Sequence, residues 1–209
     1  MQRTPDRSQR RSVLPALLWI ALLAPLTQLH AQDSTDQPIY IRSDSGWVGL
    51  FGHGAEYARF TIPGTDAQFQ DATHILVSPG VGLMLNFVAT SELAGADRLG
   101  AHARWEADYW REHAANVDTV TRSELSRGRT DVRVTQLTLQ NAAGQRLGIY
   151  IIGELTADGV FAYAFSPADE AGDEMVRQFV RSIALVHRPL TPAEAKRVSA
   201  SMKRRQRTP

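Results

Sequence analysis

RLGIYIIGELTADGVFAYAFS, residues Arg146 to Ser166, holds two strands and the turn that joins them. In its first half Leu147, Ile149, Ile151 and Leu155 fall on one side and Arg146, Tyr150, Ile152 and Glu154 on the other. That is the two-residue alternation of a partly buried strand. In its second half Phe161, Tyr163 and Phe165 share one side and Val160, Ala162 and Ala164 the other, so an aromatic face is offered to a packing layer. Thr156-Ala157-Asp158-Gly159 supplies the small and polar residues that a hairpin turn needs. Upstream, Asn141 to Gln145 makes a second such connector to a strand over Asp131–Gln140, and an antiparallel meander follows. This upstream strand changes phase, with Val132 and Val134 on one side and Leu137 and Leu139 on the other, for which a bulge near Thr135 is expected. Downstream, Ser166-Pro167-Ala168-Asp169 reads as a capping box, with the hydroxyl of Ser166 as N-cap and Pro167 at the first helical position. Met175, Val176, Phe179, Val180 and Ile183 then recur at helical spacing, and the helix they define is expected to cover the sheet.

Working back toward the N-terminus, short strands are expected at Ile39–Ile41, Trp47–Phe51 and Tyr57–Ile62, the last ended by Pro63-Gly64. Thr73–Val77 and Val81–Val88 flank Ser78-Pro79-Gly80-Val81, whose central proline and glycine are the signature of a type II turn. From Ala96 to Ala115 the period becomes helical, with Leu99, Ala103, Trp110 and Ala114 in one narrow stripe. Asn116 and Asp118 stop it, and a strand over Thr119–Leu125 and the charged turn 126–129 lead into the meander. The fold class expected is therefore α+β, an antiparallel sheet sandwiched between helices.

The first twelve residues carry Arg3, Arg7, Arg10 and Arg11, and Val13–Leu26 is an apolar run of 14 residues. A bilayer-spanning helix needs about 20. This is the pattern of a signal peptide, with cleavage expected near Ala31, and it places the mature chain in the periplasm or outside the cell. A polar lead follows over 32–37. There are no cysteines, so neither a disulfide framework nor a lipidated anchor is available. Removal of residues 1–31 turns the net charge from +1 to −2; the body up to residue 190 carries −7, offset by a basic tail. An acidic body in an extracytoplasmic compartment argues against a nucleic-acid partner.

The order of a strand ending in a proline-glycine step (Phe60 to Gly64), a hairpin, a helix (Ala96 to Ala115), a strand and the meander, with Gly144 in one hairpin and Tyr163 to Pro167 leading into the last helix, resembles the PsbP-like fold. That family includes the photosystem II subunit PsbP, DcrB-type periplasmic proteins and a Ran-binding nuclear-transport factor. The resemblance covers roughly residues 57 to 186. It implies a sheet between helices and a role in binding or assembling other proteins, with no family active site to carry over. The domain layout expected is a signal peptide over 1–31, an N-terminal segment with short strands over 32–56, a PsbP-like domain over 57–188 and a basic helix and tail over 189–209.

No nucleophile elbow, phosphate loop or dinucleotide fingerprint occurs, so no catalytic residue and no cofactor is expected. Gly52-His53-Gly54 reads as a turn between strands. His102, Glu106 and His113 share one side of the first helix, but the two histidines are about 16 Å apart along it, too far for one metal ion. His102 and Glu106, about 6 Å apart, are a very weak metal candidate needing ligands from elsewhere, set against a solvated polar edge beside the packed stripe. Trp105 and Tyr109 exceed what one apolar stripe uses and are a candidate protein contact, set against packing beneath Trp47–Phe51. In the tail, Pro192–Met202 is expected as a short helix, and Lys203, Arg204 and Arg205 as a possible contact with an anionic membrane surface or acidic partner. The function expected is that of an exported, non-enzymatic accessory or binding protein with a protein partner in the cell envelope. The alternative is a small-molecule or metal-assisted enzyme with a pocket that no motif betrays.

Overall fold

Alternation in residues 146–166 needs covering layers on both faces, and the computed structural model supplies them. It describes residues 38–44, 46–53, 56–63, 66–186 and 193. The expected signal peptide, the polar lead, and the tail with Lys203, Arg204 and Arg205 lie outside the described residues; of the expected tail helix only Ala193, helical and exposed, is described.

In chain order the strands and helices are β1 (Ile39–Ser43), β2 (Gly46–His53), β3 (Glu56–Pro63), β4 (Gln68–Phe69), β5 (His74–Ser78), β6 (Val81–Ala89), α1 (Arg98–His113), β7 (Asn116–Thr121), α2 (Ser123–Ser126), β8 (Val132–Gln140), β9 (Arg146–Leu155), β10 (Gly159–Ser166), α3 (Glu170–Ser182) and β11 (Ala184–Val186). They form two antiparallel sheets, a four-stranded one in the order β1-β2-β3-β11 and a seven-stranded one in the order β4-β5-β6-β10-β9-β8-β7. The protein is α+β. The meander strands β8, β9 and β10 sit where the alternation places them. The N-terminal strands do more than expected: β2 and β3 pair along their whole length, from Gly46 opposite Pro63 to His53 opposite Glu56, so strands on either side of residue 56 belong to one sheet.

One core lies between the two sheets and beneath α3. Phe161, Tyr163 and Phe165 of β10 meet Phe51 and Phe60 of the small sheet and Phe179 of α3. The rings are 5.3 Å apart for Phe51–Phe161, 5.6 Å for Phe60–Tyr163, 4.9 Å for Tyr163–Phe179 and 4.8 Å for Phe165–Phe179, mostly tilted or edge-on as aromatic quadrupoles prefer. On the opposite face of the large sheet α1 packs against β7, β8, β9 and β10. There Leu99 and Ala101 cluster with Val88 and Val160.

The expected bulge in β8 is absent. Val132 to Gln140 pair in unbroken register with Glu154 to Arg146. The phase change has another cause: Val132 and Val134 join the core between the sheets, whereas Leu137 and Leu139, also buried, lie on the opposite side of the strand, the side α1 covers. Two covering layers offset along one strand produce the same sequence pattern as a slip.

Helix α3 begins three residues later than the capping-box reading places it. Asp169 is the N-cap, its carboxylate accepting the backbone N–H of Gly172 at 2.8 Å, and Pro167 precedes the helix after a cis peptide bond. The expected strand over 119–125 starts at Asn116 and gives way to α2, which buries Leu125. Asn116 and Asp118 thus stop the first helix by opening an edge strand.

Two arginines hold α3 in place. Arg122 donates to Asp173 in the first turns of α3 at 2.8 Å and to the Tyr150 hydroxyl at 3.3 Å, while Tyr150 donates to the other Asp173 oxygen. Arg129 donates to the carbonyl oxygens of Ile183 at 2.8 Å and Val180 at 3.3 Å, where the helix leaves its last carbonyls without intrahelical partners.

Candidate functional site

The inner side of α1 is where the sequence candidates meet. Asp97 caps the helix by accepting Gly100 N–H at 2.9 Å, a contact that holds its carboxyl below the usual range, and Arg133 of β8 reaches the same carboxylate at 3.3 Å. With its start fixed over β8, the helix runs along the meander until Ala115 N–H meets Gln140 carbonyl. Its inward residues are Leu99, Gly100, Ala101, His102, Glu106, Ala107 and Trp110, which keep Leu99 and Trp110 of the predicted stripe but leave Ala103 and Ala114 only half-buried.

His102 and Glu106 are not a solvated edge. They are only 1% and 4% exposed, and one helical turn brings His102 Nε2 within 3.4 Å of Glu106 Oε1. Small residues below make this possible. The His102 ring lies against Gly153 of β9, where an ideal Cβ would come within 3.3 Å of Nδ1 and 3.1 Å of both Leu99 and Val160. On its other side the ring stacks with Trp105 at 6.4 Å. His102 Nε2, Glu106 Oε2 and Trp110 Nε1 are buried and have no hydrogen-bond partner. His113, the third member of the predicted side, is exposed at the far end of the helix and bonds the Tyr109 carbonyl through Nδ1 at 2.7 Å. Among the described residues no third histidine, aspartate, glutamate or cysteine joins the pair to make a metal cluster.

Trp105 and Tyr109 are half-buried. Trp105 packs on the Val88, Leu93, Leu99, Ala101 and Val160 cluster; Tyr109 meets Trp110 edge-on at 5.6 Å and stacks on His113 at 4.4 Å. The packing beneath Trp47–Phe51 does not occur, because Trp47 lies on the opposite face of the large sheet, edge-on to Phe69 at 4.9 Å and beneath Arg42. The large sheet separates these aromatics. Arg104, Asp108, Arg111 and Glu112 are exposed around Trp105 and Tyr109, with Asp108 and Arg111 paired. The turn expected at 52–54 is strand over its first two residues: Gly52 and His53 belong to β2, His53 stacks on Phe87 at 3.7 Å, and Gly54 lies outside the described residues.

Sequence reasoning missed two polar clusters. Glu154 is fully buried in the core between the sheets, accepting from Tyr163 at 3.2 Å and from Arg129 at 3.4 Å, while Arg129 also pairs with Asp131. Burial pushes the Glu154 carboxyl up to about 7 against the pull of Arg129, and pushes the Tyr163 phenol up as well. A glutamate in phase with Tyr150 and Ile152 on an apolar strand was the available signal. The second cluster precedes β5. One Asp71 oxygen accepts the backbone N–H of Thr73 at 2.7 Å and of His74 at 2.8 Å, and the other lies 2.7 Å from His74 Nδ1. Burial raises the Asp71 carboxyl, but these contacts outweigh it and hold it low. Here the signal is an Asx-type turn closing on its own histidine.

No helix among the described residues is long and apolar enough to cross a membrane. Comparison with protein-family models, with curated proteins and with solved structures finds no match.

Proposed function

We propose that this chain is an exported, non-enzymatic accessory protein of the cell envelope, of PsbP-like architecture, that binds a protein partner through the outer flank of α1. The observation that carries the reading is the pairing of half-buried Trp105 and Tyr109 inside a rim of exposed Arg104, Asp108, Arg111 and Glu112. Large rings at the centre and charges at the edge are the usual anatomy of an interface, where tryptophan and tyrosine carry much of the binding energy. Both rings are held by neighbours before any partner arrives, so little side-chain freedom is lost on binding. The compartment rests on the charged and apolar pattern of residues 1–31.

A photo-crosslinking side chain at position 109, activated in intact cells, tests this. One discrete adduct in the envelope fraction is expected, and it is expected to disappear on Trp105→Ala, a truncation costing about 1–2 kcal/mol and leaving the chain folded by circular dichroism. Equal adducts from a probe at exposed Thr119 on β7, or none from position 109, would count against the reading.

A further inference from the structure

We propose that the outer face of the small sheet is the docking surface for the chain's own C-terminal segment, residues 189–202, laid across it as a helix. Alternation gives this sheet two faces. Phe51, Ala58, Phe60 and Ile62 enter the core between the sheets, so Val48 and Leu50 of β2 point the other way. Thr61 and Arg59 of β3 stand opposite them on one side, and Ile41 and Ile39 of β1 on the other. Neither Val48 nor Leu50 belongs to the core between the sheets or to the cluster under α1. Yet they are 0% and 2% exposed.

Neighbouring strands alone do not bury a side chain on a sheet face so completely. An antiparallel sheet with one bare face turns polar residues to water there, whereas a strand covered on both faces reads as a continuous apolar run. Trp47-Val48-Gly49-Leu50-Phe51 is such a run. Helix α3 meets the small sheet from the core side, through Phe179 on Phe60, and so covers the other face. Burial fades toward the rim, where Ile41 is half-buried and Ile39 is 52% exposed. A layer over β2 and β3 that stops short of the free edge of β1 gives this gradient.

Connectivity and sequence name the layer. The chain leaves β11, a strand of this same sheet, at Val186. Pro189 and Pro192 lack the N–H that a continuing ladder needs, so the segment must turn off the edge. The expected helix Pro192–Met202 is about 16 Å long, against about 14 Å across four strands. Ala193, near its start, is helical and exposed. At about 100° per residue, Ala195, Val198 and Met202 lie on the side of the helix opposite Ala193, an apolar side left to face the sheet. Charge favours the same arrangement, since residues 191–209 set six basic side chains against Glu194 and the body up to residue 190 carries −7. Trp105 lies beyond the large sheet, so the inference is independent of its docking role.

The chain has no cysteine, so Val48→Cys introduces its only thiol. In the full chain this thiol is expected to resist a maleimide, and to resist it equally once residues 1–31 are removed. Ending the chain at Arg188 is expected to raise the labelling rate at least tenfold, with the circular dichroism of the sheets retained. A photoreactive side chain at position 41 of the intact chain gives a second reading that needs no truncation, and its adduct is expected within residues 189–202 of the same molecule. If the shortened chain loses its fold, that adduct alone decides. Fast labelling in the full chain, protection that survives truncation at Arg188, or protection lost with residues 1–31 overturns the proposal. An adduct from position 41 to residues 1–31 or to a second copy overturns it as well.

Discussion

Phe179→Ala is expected to lower the unfolding free energy by about 3–5 kcal/mol, measured by urea denaturation monitored through tryptophan fluorescence. Phe179 is fully buried and meets Phe60, Tyr163 and Phe165 at ring separations of 5.6, 4.9 and 4.8 Å. It is the one ring of α3 that touches both sheets, since Phe60 belongs to β3 and the other two to β10. Truncation therefore removes the transfer energy of the side chain and leaves a cavity walled by rigid rings on strands, which relax less than flexible aliphatic chains would. Phe179→Leu keeps most of the volume and is expected to cost less than half as much. Equal loss for both variants, or a loss under 1 kcal/mol for alanine, would contradict the packing described.

The second large effect is a dependence on pH. Glu154 has its carboxyl raised from an ordinary value of 4.5 to about 7, chiefly by burial. The folded state therefore holds this proton more tightly than the unfolded chain does. Its contribution to stability is complete below pH about 4.5, falls as pH rises through 7, and is gone above that, a change of about 3 kcal/mol. Asp71, Asp97 and Asp131 shift in the opposite direction, so their contributions are complete above their ordinary range and are lost only as pH falls below it, which leaves the window from pH 5 to 8 to Glu154 among the shifted carboxyls. Wild type is expected to lose about 2–3 kcal/mol between pH 5 and 8, and Glu154→Gln to lose much less. Parallel pH profiles for the two proteins would falsify the assignment. In the variant the single amide oxygen accepts from Arg129 while the amide NH2 faces the Tyr163 hydroxyl, and neither contact titrates between pH 5 and 8, so the slope of stability against pH isolates the Glu154 carboxyl.

The parts of this fold that could be read from the sequence are those whose cause is local. The strands Arg146–Leu155 and Gly159–Ser166 match the alternation residue for residue, because each has one face filled by large side chains. The α3 stripe of Val176, Phe179, Val180 and Ile183 is buried as its spacing requires. What failed to show is whatever depends on a second layer. The phase change in β8 looked like a bulge because a single chain does not record that α1 and the small sheet overlie different halves of it. His102 and Glu106 looked solvated because charge alone places a residue outside; only Gly153 on β9, about 50 positions away, makes room for them. Glu154 escaped notice for a related reason, since its partner Arg129 sits in a turn that by itself reads as surface. The short pair β3–β11 also had no local signature: three residues, Ala184 to Val186, suffice once Arg59, Ala58 and Tyr57 are waiting opposite.

That last pairing has a consequence for how the chain acquires its structure. Strand β3 ends at residue 63 and its neighbour β11 begins at 184, and Thr61 N–H is bonded to Ser182 Oγ at 2.9 Å across the same gap. The small sheet therefore closes only when nearly the whole described sequence has been made, and the loop it closes is among the longest the chain offers. Contacts of such sequence separation form late and slowly in β-rich proteins. Phe51 and Phe60 likewise wait for β10 and α3, which bring Phe161, Tyr163 and Phe179 to pack against them from about 100 or more positions away. In a growing chain this edge of the small sheet stays open until β11, the last described strand, arrives, so the sheet is completed from the far end of the sequence rather than by accretion from the N-terminus.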